Sequence, residues 1–187
     1  MISVIVPTYK EPEVLDICLD SIISGQDNRN QIIVVIDGFR ELNQSVLEKY
    51  ASHIDVIDLP SNVGLNRATN FGVYAASHDN ILIVNDDNVF PERWDARLLE
   101  HDITSTVIAP NQIEPKPSIF PNFIIKPFGD PDQFDMVAFN KFEQEVSRRS
   151  DDVTGSTLPI YMSKTNYMML GGWDEAYPGH WVTLLRS

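Results

Sequence analysis

Residues 2–38 read ISVIVPTYKEPEVLDICLDSIISGQDNRNQIIVVIDG, and this stretch decides the fold. It opens and closes on short β-branched runs, residues 2–6 and 32–36, whose lack of polar alternation predicts strands buried on both faces. Between them Val14, Leu15, Cys18, Leu19, Ile22 and Ile23 recur at helical spacing, with Glu13, Asp16 and Asp20 turned outward and Gly25 placed as a C-terminal cap. The stretch is therefore one strand–helix–strand unit with parallel strands.

The pattern repeats outward from that unit. Residues 54–59 and 81–84 read as further strands, and residues 44–51 and 66–76 as the helices between them. Strict alternation of this kind predicts an α/β fold, an open, doubly wound, mostly parallel sheet flanked by helices. Ligands of such sheets bind at the C-terminal ends of the strands. Past Pro91 a helix is expected through residue 99, with residues 107–109 returning to the sheet. Six prolines then fall between Pro110 and Pro131 among Ile119, Phe120, Phe123, Ile124, Ile125 and Phe128. That stretch cannot hold regular helix and reads as a long ordered loop or acceptor-facing lid. Residues 134–146 suit an amphipathic helix, and residues 158–162 a late strand leading into a short helix through residue 170.

Composition narrows the function. The 187 residues carry 14 Lys plus Arg against 27 Asp plus Glu, a formal charge of -13. Such a chain repels a polyphosphate backbone, so nucleic acid is not an expected partner. An anionic ligand would need a divalent cation or a helix N-terminus to offset the background field. Cys18 is the one cysteine, which excludes an intrachain disulfide and a thiolate zinc site. No secretory leader or apolar run of about eighteen residues is visible, and a cytoplasmic location is expected.

Three polar segments leave the predicted strands where a ligand should sit. Pro7-Thr8-Tyr9-Lys10-Glu11 follows the first strand; it offers an aromatic ring and short polar groups to a base, or is an ordinary turn with a packed tyrosine. Asp37-Gly38 follows the second, either accepting hydrogen bonds from a base or ribose, or closing a simple turn. Asn85-Asp86-Asp87-Asn88 follows the fourth and is the strongest of the three. Adjacent carboxylates repel unless something positive lies between them, and hard oxygen ligands suit Mg2+ or Mn2+ with diphosphate oxygens completing the sphere. A solvated acidic turn is the plain alternative.

Together these segments resemble family 2 glycosyltransferases with a GT-A (Rossmann-like) fold, in particular the bacterial SpsA-like group. The resemblance runs in order through VIVPTYKE, IIVVIDG, LPSNVGLNRATNFG, ILIVNDDNVFPERW and LGGWDE, from residue 2 to about residue 175. It implies an inverting, metal-dependent transfer of a sugar from a nucleoside diphosphate, commonly a UDP-sugar, to a carbohydrate or other hydroxyl acceptor. Residues 1–102 would then form the nucleotide-sugar-binding part and residues 103–187 the acceptor side of a single GT-A domain. By the same resemblance Pro7, Thr8, Tyr9 and Glu11 belong to the nucleoside pocket and Asp37 to the base. Asp86 goes to the sugar or ribose, and Asp87 to the Mn2+ or Mg2+ ion. The arginine usual in this family is replaced by Thr69, and Arg67 is the nearby candidate for the phosphates. Trp173 is expected to stack on the acceptor sugar.

The family's second acidic motif does not appear in residues 176–187, so the catalytic base is assigned to Asp174 or Glu175 ahead of His180. The corresponding expectation is donor binding with weak transfer. A nucleotide-sugar-binding module without catalysis is the alternative. A nucleotidyltransferase or P-loop enzyme is disfavoured because PTYKEPE contains no glycine and no GxxxxGK occurs.

Overall fold

The computed structural model describes residues 1–114, 123–125, 134–146 and 158–176. Strands β1 (Ser3–Thr8), β2 (Gln31–Asp37), β3 (Asp55–Leu59), β4 (Asn80–Ile83) and β7 (Ile160–Ser163) form one sheet in the order β3-β2-β1-β4-β7. The first four are parallel and β7 runs antiparallel to β4. Helices α1 (Pro12–Gly25), α2 (Arg40–Lys49), α3 (Leu65–Ala75), α4 (Trp94–Leu98), α5 (Met136–Val146) and α6 (Lys164–Met169) complete the regular structure, with β5 (Gln112–Glu114) pairing with β6 (Phe123–Ile125) in a separate two-stranded ribbon.

Strand alternation sorts the core into two layers. Val4, Val6, Val34 and Ile36 meet Leu15, Leu19 and Ile22 of α1, Leu47 of α2 and Trp94 of α4 on one face. Ile5, Ile33, Val35, Ile81 and Ile83 meet Ala68 and Val73 of α3 and Tyr167 and Trp173 on the other. At about 1.5–3 kcal/mol for each fully buried aliphatic side chain, this double layer is what holds the sheet between its helices. Because β7 and Trp173 join it, residues 158–176 pack with the elements of the first hundred residues.

Several expectations change in detail. β3 is a sheet edge with Asp55, Val56 and Asp58 exposed rather than a strand buried on both faces, and its acids discourage pairing with another strand. Gly25 ends α1 without a left-handed cap; a Cβ there would lie 2.8 Å from the Pro91 carbonyl oxygen, so close approach is what requires glycine. Helix α2 begins at Arg40, four residues earlier than its apolar signal. Residues 107–109 contribute an isolated antiparallel bridge from Ile108 to Tyr161 instead of a strand. Most of the proline-rich stretch lies outside the described residues. Among the described residues no helix is long and apolar enough to cross a membrane.

Candidate functional site

The C-terminal ends of β1, β2 and β4 open onto a cleft of about 730 Å3. Pro7, Thr8 and Tyr9 form one part of its wall, Asp37 and residues 62–68 a second, Asn85, Asp86 and Asp87 a third, and Glu175 with Ala176 a fourth. Seven of the residues expected from sequence to touch the nucleotide or metal thus converge here: Pro7, Thr8, Tyr9, Asp37, Arg67, Asp86 and Asp87. Glu11 is exposed at the start of α1, outside the lining, but its charge acts on Asp86.

Asp37 is buried, and its carboxylate accepts the Val63 amide at 2.6 Å and the Gly64 amide at 3.0 Å. It therefore shapes the loop that leads into α3. Gly64 precedes the helix with φ +92°, a conformation that side chains avoid, and this swings the first turn of α3 into the cleft. The amides of that turn carry the partial positive charge of a helix N-terminus, which suits an anion.

Opposite them stands uncompensated negative charge. Asp86 is half-buried and Asp87 exposed, and neither carboxylate is ion-paired with a Lys or Arg among the described residues. Burial pushes the Asp86 pKa above the usual aspartate value, and the charges of Asp87 and Glu11 push the same way, offset in part by the Thr8 hydroxyl. That hydroxyl is buried and leans toward Asp86 without making a hydrogen bond of normal geometry. A divalent cation fits this pair of hard oxygen donors. Among the described residues no three His, Cys, Asp or Glu side chains gather to hold an ion alone, so ligand or water oxygens would complete its coordination.

Tyr9 packs edge-to-face on Phe39 at 5.3 Å, with the Lys10 ammonium 4.7 Å and 4.0 Å from the two ring centroids. Asn62 and then Lys10 lower the Tyr9 pKa. Residues 62–66, Ala68 and Ala176 also line the cleft, positions to which the sequence motifs give no ligand role. The signal available was the Asn62-Val63-Gly64 run before a helix, which marks an N-terminus that a ligand can use.

The late segment departs most from expectation. Trp173 is 2% exposed and sits in the core under α3, so its ring offers no face to an acceptor sugar. Asp174 is exposed outside the lining, and its carboxylate accepts the Ala176 amide at 3.0 Å. Glu175 lines the cleft, but its oxygens accept Asn70 Nδ2 at 2.9 Å and Arg67 Nε at 2.8 Å. Asn70 and then Arg67 hold its pKa below the usual glutamate value, which makes it a poor proton acceptor. His180 lies outside the described residues.

Residues 3–159 match the family described as glycosyl transferase family 2. The amylovoran biosynthesis glycosyltransferase AmsE of Erwinia amylovora is 29% identical over 104 residues, 52% of this chain and 39% of that protein. The human dolichyl-phosphate beta-glucosyltransferase is 28% identical over 127 residues, 60% of this chain and 38% of that protein. The chain thus matches well under half the length of these curated relatives. Among solved structures, S. aureus TarS 1–349 superposes with a TM-score of 0.64 at 18% identity, covering 96% of this chain and 52% of that one. The mannosyltransferase PcManGT of Pyrobaculum calidifontis, in complex with GDP-Man and Mn2+, also gives 0.64 at 18% identity, covering 94% and 48%. At these identities the two structures speak for the fold.

Proposed function

The chain belongs to glycosyl transferase family 2 and has the GT-A type of fold, and from that premise we propose that its cleft binds a nucleoside diphosphate sugar for transfer to an acceptor hydroxyl. One observation carries the reading. An α3 N-terminus and an unneutralised Asp86–Asp87 pair face one cleft at the C-terminal edge of the sheet, an arrangement suited to a diphosphate held with a cation.

In this reading Thr8, Tyr9 and Asp37 define the nucleoside end, Asp37 through the loop it holds as well as by direct contact. Asp86 faces the ribose or sugar, and Asp87 with the diphosphate would hold Mn2+ or Mg2+. When bound, the cation would supply positive charge at the departing diphosphate. The amides of α3 and the Arg67 guanidinium would orient the phosphates beside it. A UDP-sugar as donor and inversion at the sugar carbon are part of this proposal, taken from the resemblance of the sequence motifs. Donor binding is assigned to residues 1–102 and the acceptor side to residues 103–187. Of the two late acids expected as proton acceptor, Glu175 is committed to Arg67 and Asn70, and Asp174 lies outside the cleft lining with its carboxylate on the Ala176 amide.

Calorimetric titration of UDP and of uridine, each with and without Mn2+, tests the binding reading. UDP affinity should rise at least about tenfold with Mn2+ while uridine affinity stays level, tenfold corresponding to about 1.4 kcal/mol. Identical behaviour of the two ligands would remove the cation from the cleft. A binding module with little transfer is the second reading, favoured by the occupied carboxylate of Glu175. Sugar release from a UDP-sugar, measured with and without Mn2+, separates the two.

A further inference from the structure

Among the described residues, Arg67 is the one cationic side chain lining a cleft that also carries Asp37, Asp86, Asp87 and Glu175. Left to itself, a half-exposed arginine in such surroundings would settle on whichever carboxylate came nearest, including those expected to hold a cation. Its Nε instead donates to Glu175 Oε2 at 2.8 Å. Pairing through Nε leaves the two terminal nitrogens of the guanidinium for a ligand, the geometry in which arginine grips an anion with two parallel hydrogen bonds.

Glu175 is itself held from behind. Asn70, 2% exposed on α3, donates Nδ2 to Glu175 Oε1 at 2.9 Å and to the Trp173 carbonyl at 3.0 Å. Its Oδ1 accepts the Trp173 amide at 3.1 Å and the Tyr167 hydroxyl at 2.5 Å. A Cβ at Gly172, where φ is +73°, would come within 2.8 Å of that same Oδ1, so the turn closes on Asn70 only with glycine there. The buried amide, the glycine turn and the core position of Trp173 fix one end of Glu175, and Glu175 fixes Arg67.

We propose that Glu175 is a positioning residue, clamped by Asn70, that holds the Arg67 guanidinium for the diphosphate of a nucleoside diphosphate ligand. The inference rests on the reading of the cleft given above and replaces the role of proton acceptor for Glu175. Acting through Arg67, Glu175 should affect ligands that carry a diphosphate and be silent toward the nucleoside.

Titration calorimetry with UDP and with uridine, at saturating Mn2+, on the wild type, Arg67→Ala, Glu175→Ala and the double variant tests it. Arg67→Ala should weaken UDP about tenfold and Glu175→Ala about three- to fivefold, with uridine unchanged in both. The double variant should bind UDP no more weakly than Arg67→Ala alone, because nothing remains for Glu175 to position. If Glu175→Ala lowers the melting temperature enough to prevent titration, Glu175→Gln, which keeps the length and one acceptor, takes its place and should give a smaller loss of UDP affinity. Unchanged UDP affinity in Arg67→Ala, additive losses in the double variant, or equal losses for UDP and uridine would overturn the clamp alone. A wild type that binds neither ligand would overturn the reading of the cleft and the clamp with it.

Discussion

Asp86 and Asp95 lie at opposite ends of the same sheet and show what separates a structural staple from an unsatisfied carboxylate. Asp95, 0% exposed at the start of α4, receives five N–H donors: the amides of Asp27, Asn28 and Ala96 and the side-chain amides of Asn28 and Asn30. Burial pushes its pKa up, but these donors, led by the Asp27 amide, outweigh burial and hold it below the ordinary value. Asp86 is pushed the other way. One carboxylate has been supplied with every partner it needs by the chain, and the other has been placed among like charges with no cationic partner among the described residues. The same contrast holds between the cleft and a second concavity. Around the one of about 510 Å3 at the N-terminal end of β4, Asp79 takes Ser163 and Thr165, and Lys164 Nζ takes the carbonyls of Tyr74 and Ala76. Concavity is common to both ends; unsatisfied charge is found at the cleft.

If that contrast is correct, the largest effect on stability belongs to the satisfied end. Asp95→Ala should cost about 3 kcal/mol, since it strands buried amides that tie the α1–β2 connection to α4. Urea unfolding should show a lower midpoint at unchanged slope, with Mn2+-dependent UDP binding intact in the folded fraction. A loss under about 1 kcal/mol would mean that water replaces the carboxylate, and the contrast would weaken.

The next effect belongs to the unsatisfied end and concerns binding. Asp87→Asn should lower the Mn2+-dependent affinity for UDP by about 2 kcal/mol while leaving uridine alone, because a cation bridges protein and diphosphate but not the base. Titration of both ligands decides it, and equal losses would take Asp87 out of the metal site. Asp37 lies between the two cases, being buried and partnered yet facing the cleft. Asp37→Ala should weaken uridine and UDP alike, by about 1–2 kcal/mol, as the Val63 and Gly64 amides lose their acceptor. Unchanged uridine affinity would leave Asp37 a purely structural residue.

How much of this could be read from sequence follows from where each signal resides. β1, β2, β4 and α1 announce themselves because their burial is nearly complete and their periodicity local. Arg40, Glu41 and Asn43 carry no apolar pattern, so the first turns of α2 leave no periodic signal; its start depends on the left-handed Phe39 after Gly38. The direction of β7 depends on where the chain returns, which no local pattern encodes. In the site, Thr8, Asp37, Asp86 and Asp87 line one cleft because they follow strand ends that topology alone delivers to one edge. The burial of Trp173 is decided by Asn70 on α3 and Tyr167 on α6, which no local pattern encodes. The same holds for Glu175, whose partners stand on α3, distant in sequence.

The smallest effect sharpens the comparison most, because it concerns sign. With no divalent cation present, Asp86 ionises with a pKa above its ordinary 3.8. Between those two values the native state keeps a proton that the unfolded chain has lost, so stability falls as pH rises through the window and stays lower above it. Asp95 does the reverse: its native pKa is depressed, so its contribution is complete above the ordinary value and is lost as pH falls through the native one. Asp86→Asn should therefore stabilise the chain slightly near neutral pH, by no more than about 1 kcal/mol for screened like charges at a partly exposed site, and the gain should vanish in acid. The deficit of Asp95→Asn should instead shrink as pH falls, because the wild type then loses the charge that the variant lacks. Urea midpoints for wild type and both variants at several pH values with EDTA would show two difference curves of opposite sign. A destabilised Asp86→Asn at neutral pH would mean that Thr8 and the local amides already satisfy that carboxylate, leaving the cleft no unmet charge for a cation to answer.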